Sequence, residues 1–370
     1  MDKNRGYWKV ADEHYTNKVL AIMAAQYRNL EPTDITYHYN DPWWDSASWD
    51  QEPSESLNEL YVRRAKQLRE KYKTLILRYS GGADSHNILK IFVDNNIKID
   101  VIAMGGWTPP GVDPRLFLTN VEKELLAIPQ LKMFEKQGIK FDHIILNDFS
   151  PTINVIGDHP EWIFDIDSPR FNLPDITAGR ALTTPEFHVW DDPSTGVILG
   201  IDKPHVDYKM EKIWYWSQPD SLHTMHPQAN KMASEPFYWT ADMPEIAIKQ
   251  SHVVKNFFKK NPDIPSSNFK SKSVLIPLIY PDTYKNLDPR AKDLPYWDHE
   301  PWNSKFCNDK RLGPKGTAYD WGFHHSPYYK IWKDGIDLAD RLIDQKFKNN
   351  QSIWDNGLKP IFTKPRWLGR

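Results

Sequence analysis

Residues 80–85 read Ser-Gly-Gly-Ala-Asp-Ser, inside the longer stretch "LILRYSGGADSHNIL" at 75–89. An apolar run stops there, and an apolar-periodic segment restarts after it. A turn of this composition suits the binding of a phosphate chain. Backbone N–H groups at the start of a helix, reinforced by the helix dipole, favour an anion. Gly81 and Gly82 let the backbone approach a ligand closely and adopt positive φ. Ser80 and Ser85 supply hydroxyl donors. Asp84 is out of place beside phosphates unless a cation bridges them, and magnesium takes one or two carboxylates together with phosphate oxygens. The plain alternative is a strand-to-helix connection in which Ser or Asp caps the helix. The complete run, in a β-turn-α setting, favours phosphate.

Such a turn works only at the carboxyl end of a strand in a parallel sheet, where α/β folds bind their ligands. The sequence pattern predicts a strand at 74–79, a helix at 85–95 and a buried strand at 99–104, "IDVIAM". A helix follows at 114–128, which Pro129 ends or kinks, with more helix to about Gln137. A strand at 141–146, a shorter helix after Pro174 and a strand at 196–201 complete the series. This β-α-β-α-β order predicts an α/β fold: a parallel twisted sheet with flanking helices and right-handed crossovers.

Upstream, the pattern predicts a helix from Asn17 to Asn29, an acidic aromatic loop over 37–53, and a helix started by Ser54 or Ser56. That helix places Leu57, Leu60, Tyr61, Ala65, Leu68 and Tyr72 on one face, with Arg63, Arg64, Lys66 and Arg69 assigned to a solvated face. Downstream, 206–218 reads as a hairpin. The segment "TADMPEIAIKQSHVVKNFFKK" reads as a helix with Asp242 as N-cap, Pro244 in the first turn and Glu245 closing a capping box. Residues 273–280 form a short apolar segment, and an amphipathic helix spans about 327–348. The expected organisation is an N-terminal helical extension at 1–72, a nucleotide-binding domain at 73–215 and a mainly helical C-terminal appendage at 216–370.

Composition narrows the classes. With 370 residues and 40% apolar content, the chain can build a full core. Lys plus Arg number 47 against 49 for Asp plus Glu, a net charge of −2, so no overall basic bias points to nucleic acid. Cys307 is the single cysteine, which precludes an intrachain disulfide and a cysteine-rich zinc site and fits a reducing cytoplasm. No apolar run approaches the ~20 residues of a membrane span, and the first residues lack the apolar core of a secretory signal. The 16 tryptophans and 29 prolines suggest ordered, aromatic-pinned loops.

Ser-Gly-Gly-X-Asp-Ser is the signature of the PP-loop (N-type) ATP pyrophosphatases, and "SGGADS" matches it at every fixed position. The chain resembles that superfamily over about residues 70–215. The resemblance implies an adenine nucleotide α-hydrolase-like (HUP-type) fold and cleavage of ATP to AMP and pyrophosphate, with the substrate adenylated on the way. Carried over by position, Ser80, Gly81, Gly82, Asp84 and Ser85 would hold the pyrophosphate portion of ATP and its Mg2+. Ala103, Met104 and Gly105, ending the second strand, would flank the adenine; a buried strand followed by a Gly-Gly turn explains them equally well. "ILGIDKPHV" at 198–206 resembles the Gly-X-X-X-Asp/Glu stretch of asparagine-synthetase-like members. Asp202 would then help hold magnesium, and Lys203 would neutralise charge developing on the phosphates; a surface turn is an equal alternative there.

Within the superfamily the residues exclude several branches. Met1 is followed by Asp2, so an N-terminal cysteine glutaminase is not expected. One cysteine cannot provide the paired cysteines of sulfur transfer or the four-cysteine zinc site of deazaguanine-forming members. "KFCNDK" does not match the C-terminal cysteine motif of adenosine-phosphosulfate reductases. An amide-, amine- or amidine-forming ligase remains, using free ammonia, an amino compound or nitrogen from a separate subunit, on an acceptor the sequence does not name. The helix "LNELYVRRAKQLREKY" running into the loop strand, "GIDKP" and "YWTADMPEIAIKQSH" resemble asparagine-synthetase-like PP-loop proteins of large tailed phages, which would place the chain in a host cytoplasm.

Two other classes stay open: a nucleotide-binding or structural protein without turnover, and an enzyme modifying tRNA or DNA, against which the neutral charge counts. His324-His325 and His223-X-X-His226 lack carboxylate or thiolate partners at ligand spacing and read as ordinary histidines. Trp43, Trp44 and Trp49 could stack on a ring substrate, but packing is the plainer reading. The loop 38–53 and the region 158–192 are candidates for shaping an acceptor pocket.

Overall fold

A computed structural model of the chain describes residues 6–106, 123, 127–148, 161–165, 189–200, 205–209, 213–220, 232–263, 279–280, 329–348 and 358–369. Its centre is a five-stranded parallel sheet built from β4 (Thr74–Arg78), β5 (Val101–Gly106), β6 (His143–Asp148), β7 (Thr195–Leu199) and β10 (Ala233–Pro236), in the spatial order β10-β7-β4-β5-β6. The fold is α/β, as the alternating pattern predicts. β4, β5 and β7 carry near-continuous apolar runs because both their faces are covered. Their period of two sorts the side chains. Leu75, Leu77, Ile102, Met104 and Ile198 enter the large core, while Ile76, Val101, Ala103, Val197 and Leu199 enter a smaller one with Met232.

The large core is roofed by α3 (Leu57–Lys71), α4 (Ala83–Asp94) and α7 (Pro244–Lys260). Ser56 caps α3 in a reciprocal capping box with Glu59, an arrangement that stabilises such a helix by about 1 kcal/mol. Leu60, Tyr61, Ala65 and Leu68 are buried as the spacing predicts. Arg64 is not on a solvated face: it is fully buried and its guanidinium donates to Glu235 of β10 at 2.6 Å. A charge this deep is held only by a partner from another element, which a helical pattern cannot reveal. At the start of α7 the N-cap is Met243, with no side-chain bond, and Pro244 opens the helix. Asp242 lies outside it, its carboxylate 3.4 Å from Lys71 Nζ, so the expected capping box is absent.

Pro129 sits in the first turn of α5 (Ile128–Lys136), where its missing N–H costs nothing, and the helix expected over 114–128 before it lies mostly outside the described residues. The segment expected to be a helical extension holds, besides α1 (Lys18–Tyr27) and the short α2 (Asp41–Asp45), an antiparallel sheet of β1 (Tyr7–Val10), β2 (Glu13–Tyr15) and β3 (Ile35–His38). These strands are three or four residues long, too short for alternation to stand out. The hairpin expected at 206–218 is present as β8 (His205–Lys209) and β9 (Ile213–Ser217), and β11 (Arg366–Trp367) adds a third strand to it. The parallel sheet also extends past residue 215, because β10 pairs with β7. Pro236 ends that strand at the sheet edge, where a residue without a backbone donor is tolerated.

The two antiparallel sheets are tied together by buried polar contacts. Lys18 Nζ lies 2.9 Å from Asp220, which also accepts from Trp8 Nε1 at 3.0 Å, and all three side chains are buried. Trp44 and Trp49 pack on Trp216, with ring centroids 5.2 and 4.3 Å away. Both indoles are core, whereas Trp43 is partly exposed. Among the described residues, no helix is long and apolar enough to cross a membrane. α6 (Trp162–Asp165), α8 (Tyr329–Leu342) and the 3-10 turns Pro32–Asp34 and Gln345–Phe347 are further described helical pieces.

Candidate phosphate-binding site

The strand order reverses at β4. The chain runs outward through β5 and β6 on one side, then returns to place β7 and β10 on the other. The crevice outside the carboxyl ends of β4 and β7 is therefore the topological switch point, the place where open parallel sheets bind ligands. Residues 80–85 occupy it, since β4 ends at Arg78 and α4 begins at Ala83.

Gly81 has φ +79°, a conformation an L side chain would strain. Gly82 is the N-cap of α4, and because it has no side chain the helix opens without a side-chain cap. The Ser85 hydroxyl donates to the Gly82 carbonyl at 3.2 Å and accepts from the Ser80 N–H at 3.2 Å. With that proton used, the 3.1 Å contact between the two hydroxyls is donated by Ser80, whose Oγ in turn accepts from the Gly82 N–H at 3.2 Å. Ser85 is buried beneath the turn and Ser80 is exposed at its mouth. Asp84 is half-buried in the first turn of α4, where the dipole favours a carboxylate. Its charge reaches Tyr61, whose phenol is raised chiefly by burial and further by Asp84.

Three outside elements hold this turn. Just past the end of β7, Gly200 abuts it so closely that an added Cβ would lie 3.2 Å from the Ser85 N and Cα and 3.0 Å from Ile88 Cδ1. From beyond β10, the Tyr238 hydroxyl donates to the Asp84 carbonyl at 2.7 Å and accepts from Asn87 Nδ2 at 3.1 Å. From α5, Gln130 Nε2 donates to the Gly81 carbonyl at 3.4 Å while its Oε1 accepts from the Tyr79 hydroxyl at 2.5 Å. Tyr79 and Gln130 belong to different predicted elements, and Tyr238 reads as one aromatic among many, so their roles carried no local signal.

No family model matches the chain, and no curated protein or solved structure matches it either.

Ser80, Gly81, Gly82, Asp84 and Ser85 come together at the switch point. Ala103 ends up beside them, its carbonyl accepting from the Tyr79 N–H at 2.9 Å. Ala103 and Met104 are buried on opposite faces of β5, so their side chains enter different cores; Gly105 follows in the same strand. Asp202 and Lys203 lie outside the described residues, as do Cys307, His223, His226, His324 and His325. Among the described residues no three His, Cys, Asp or Glu side chains group to hold a metal. A divalent ion here would use the Asp84 carboxylate and complete its shell with oxygens of a phosphate ligand and water, the arrangement magnesium favours.

Proposed function

We propose that the turn at 80–85 grips the phosphate chain of ATP together with Mg2+, and that the chain is an ATP pyrophosphatase-type ligase on a HUP-type sheet. The observation that carries this reading is the placement of Ser-Gly-Gly-Ala-Asp-Ser at the strand-order reversal, opening a helix without a side-chain cap. The exposed Ser80 hydroxyl and the first-turn backbone face a phosphate, with Asp84 positioned to share a cation with it. Magnesium, when bound, would offset charge on the phosphate oxygens.

In this reading an acceptor oxygen attacks the α-phosphorus, the bond to the β-phosphate oxygen breaks, and pyrophosphate leaves. A nitrogen nucleophile then displaces AMP from the activated acceptor. The turn contributes by positioning and by electrostatic stabilisation of the departing pyrophosphate. Asp202 as a second magnesium ligand and Lys203 as a counter-charge belong to this proposal, as do the small-molecule acceptor and a separate ammonia donor.

ATP–pyrophosphate exchange tests it. Magnesium-dependent ATP binding that is lost in Asp84→Ala, with exchange in the presence of a defined acceptor, is the expected result. Absence of magnesium-dependent ATP affinity, or affinity undiminished in Asp84→Ala, overturns the nucleotide reading. Tight binding without exchange across a broad acceptor screen would instead assign a nucleotide-binding protein without turnover.

A further inference from the structure

We propose that Gln130 is a positioning residue that sets the orientation of the Gly81–Gly82 peptide, the part of the turn that faces the phosphate chain; this rests on the nucleotide reading above. Gln130 is fully buried on α5, 49 residues from Gly81 in sequence, and its amide bridges two neighbours of the turn. The amide orientation is determined by its partners. Reversing it would set its oxygen against the Gly81 carbonyl oxygen, two acceptors with no proton between them.

The polarity of the whole line follows. Tyr79 Oη has one proton, and the 2.5 Å bond to Gln130 Oε1 uses it, since an amide oxygen cannot donate. The 2.9 Å contact between Tyr79 Oη and His86 Nδ1 must then be donated by the imidazole. The line runs His86 Nδ1–H to Tyr79 Oη–H to Gln130, and from Gln130 Nε2–H to the Gly81 carbonyl. Tyr79, His86 and Gln130 are all buried, so water does not compete for these bonds.

Peptide planarity carries the effect to the mouth of the site. The Gly81 C=O and the Gly82 N–H belong to one trans unit and point in opposite directions. A carbonyl drawn toward Gln130 therefore turns the Gly82 N–H away from it, onto Ser80 Oγ at the exposed side. Gly81 at φ +79° has no side chain to hold that unit, so the restraint comes from outside the turn. An apolar residue would fill the position beside Leu131 and Phe134 without the cost of desolvating an amide, but it would leave this peptide free to rotate.

The test uses the full chain with inorganic pyrophosphate and magnesium as the probe, and hydrogen exchange of residues 79–86 as a ligand-independent readout. Gln130→Met keeps the volume but can neither donate through N–H nor accept as an amide does. The expected result is tenfold or faster exchange at the Gly82 amide, at least a tenfold loss of pyrophosphate affinity, and an unchanged circular dichroism spectrum. Gln130→Leu serves if the methionine variant does not fold. It likewise offers neither the donor for the Gly81 carbonyl nor the acceptor for Tyr79, so the same two losses are expected. Tyr79→Phe leaves the Gln130–Gly81 contact and gives a smaller effect. Unchanged exchange, or unchanged pyrophosphate affinity beside a wild-type protein that binds, overturns the role of Gln130 alone. A wild-type protein that binds no pyrophosphate overturns the nucleotide reading and this role with it.

Discussion

The Tyr238 hydroxyl donates to the backbone carbonyl of Asp84 at 2.7 Å across 154 residues of sequence. The bond fastens the first turn of α4 to the chain that leaves the edge strand β10, so both sides of the switch point share one polar contact. Asn87 Nδ2 donates to the same hydroxyl. Tyr238→Phe keeps the packing and removes both bonds, leaving a buried amide group short of a partner. We expect a loss of about 1–3 kcal/mol in chemical denaturation, and weaker magnesium-ATP binding in the same variant. Stability equal to wild type would refute the clamp.

Gly200 tests how tightly β7 closes on the turn. An added Cβ meets backbone atoms of Ser85 at 3.2 Å, and backbone cannot swing aside as a side-chain tip can. Gly200→Ala should push the first turn of α4 out of place. Overpacking of this kind costs about 1–3 kcal/mol, and ATP affinity should fall roughly tenfold, equivalent to about 1.4 kcal/mol. Calorimetric titration with magnesium-ATP measures the second effect; affinity within twofold of wild type would show that the turn tolerates the shift.

The buried pair of Arg64 and Glu235 should behave asymmetrically. Lys71 Nζ reaches the same carboxylate at 2.7 Å, and the Tyr72 hydroxyl donates to it. Arg64→Met leaves the buried carboxylate with only Lys71 and Tyr72 to offset it and should cost about 3 kcal/mol, the low end for breaking a buried pair. The double variant Arg64→Met/Glu235→Leu removes the charge as well and should recover much of that loss. A double-mutant cycle reads the coupling, and simple additivity would refute it.

Two groups set separate acid limits on stability. His252 is buried, and burial, the largest influence, lowers its pKa below the ordinary 6.5, although its Nε2–H donates to the Trp49 carbonyl. The unfolded chain takes up the proton first, so this stability is present above about pH 6.5 and declines as pH falls toward the folded value. For Glu235, burial alone would raise the carboxyl, but the charge of Arg64 and the bonds from Lys71 and Tyr72 outweigh it and leave it below 4.5. Its contribution is present above about pH 4.5 and is lost as pH falls through the folded value. Denaturation midpoints followed from pH 8 to 3 should fall in two stages. His252→Gln should remove the upper stage only, and a single stage in the wild type would contradict the assignment.

Much of the sheet could be read directly from residue order. "TLILR", "VIAMGG" and "TGVIL" are strands because short apolar runs bounded by turn residues bury both faces of a parallel sheet. Ser54 and Ser56 were both legible as starts for α3, and the structure places the cap at Ser56, in a local capping box with Glu59. Ser80–Ser85 stood out because its glycines, hydroxyls and carboxylate act within one turn.

Local pattern, then, determined the strands, the capped helix and the composition of the turn. Only the tertiary structure decided that this turn lies where the strand order reverses, that Arg64 is buried against Glu235, and that Gln130, Gly200 and Tyr238 hold the turn from three directions. Those relations join residues dozens to more than a hundred positions apart, through bonds that exist only once the sheet has assembled. No period of two or 3.6 residues encodes which distant side chain will supply the missing donor.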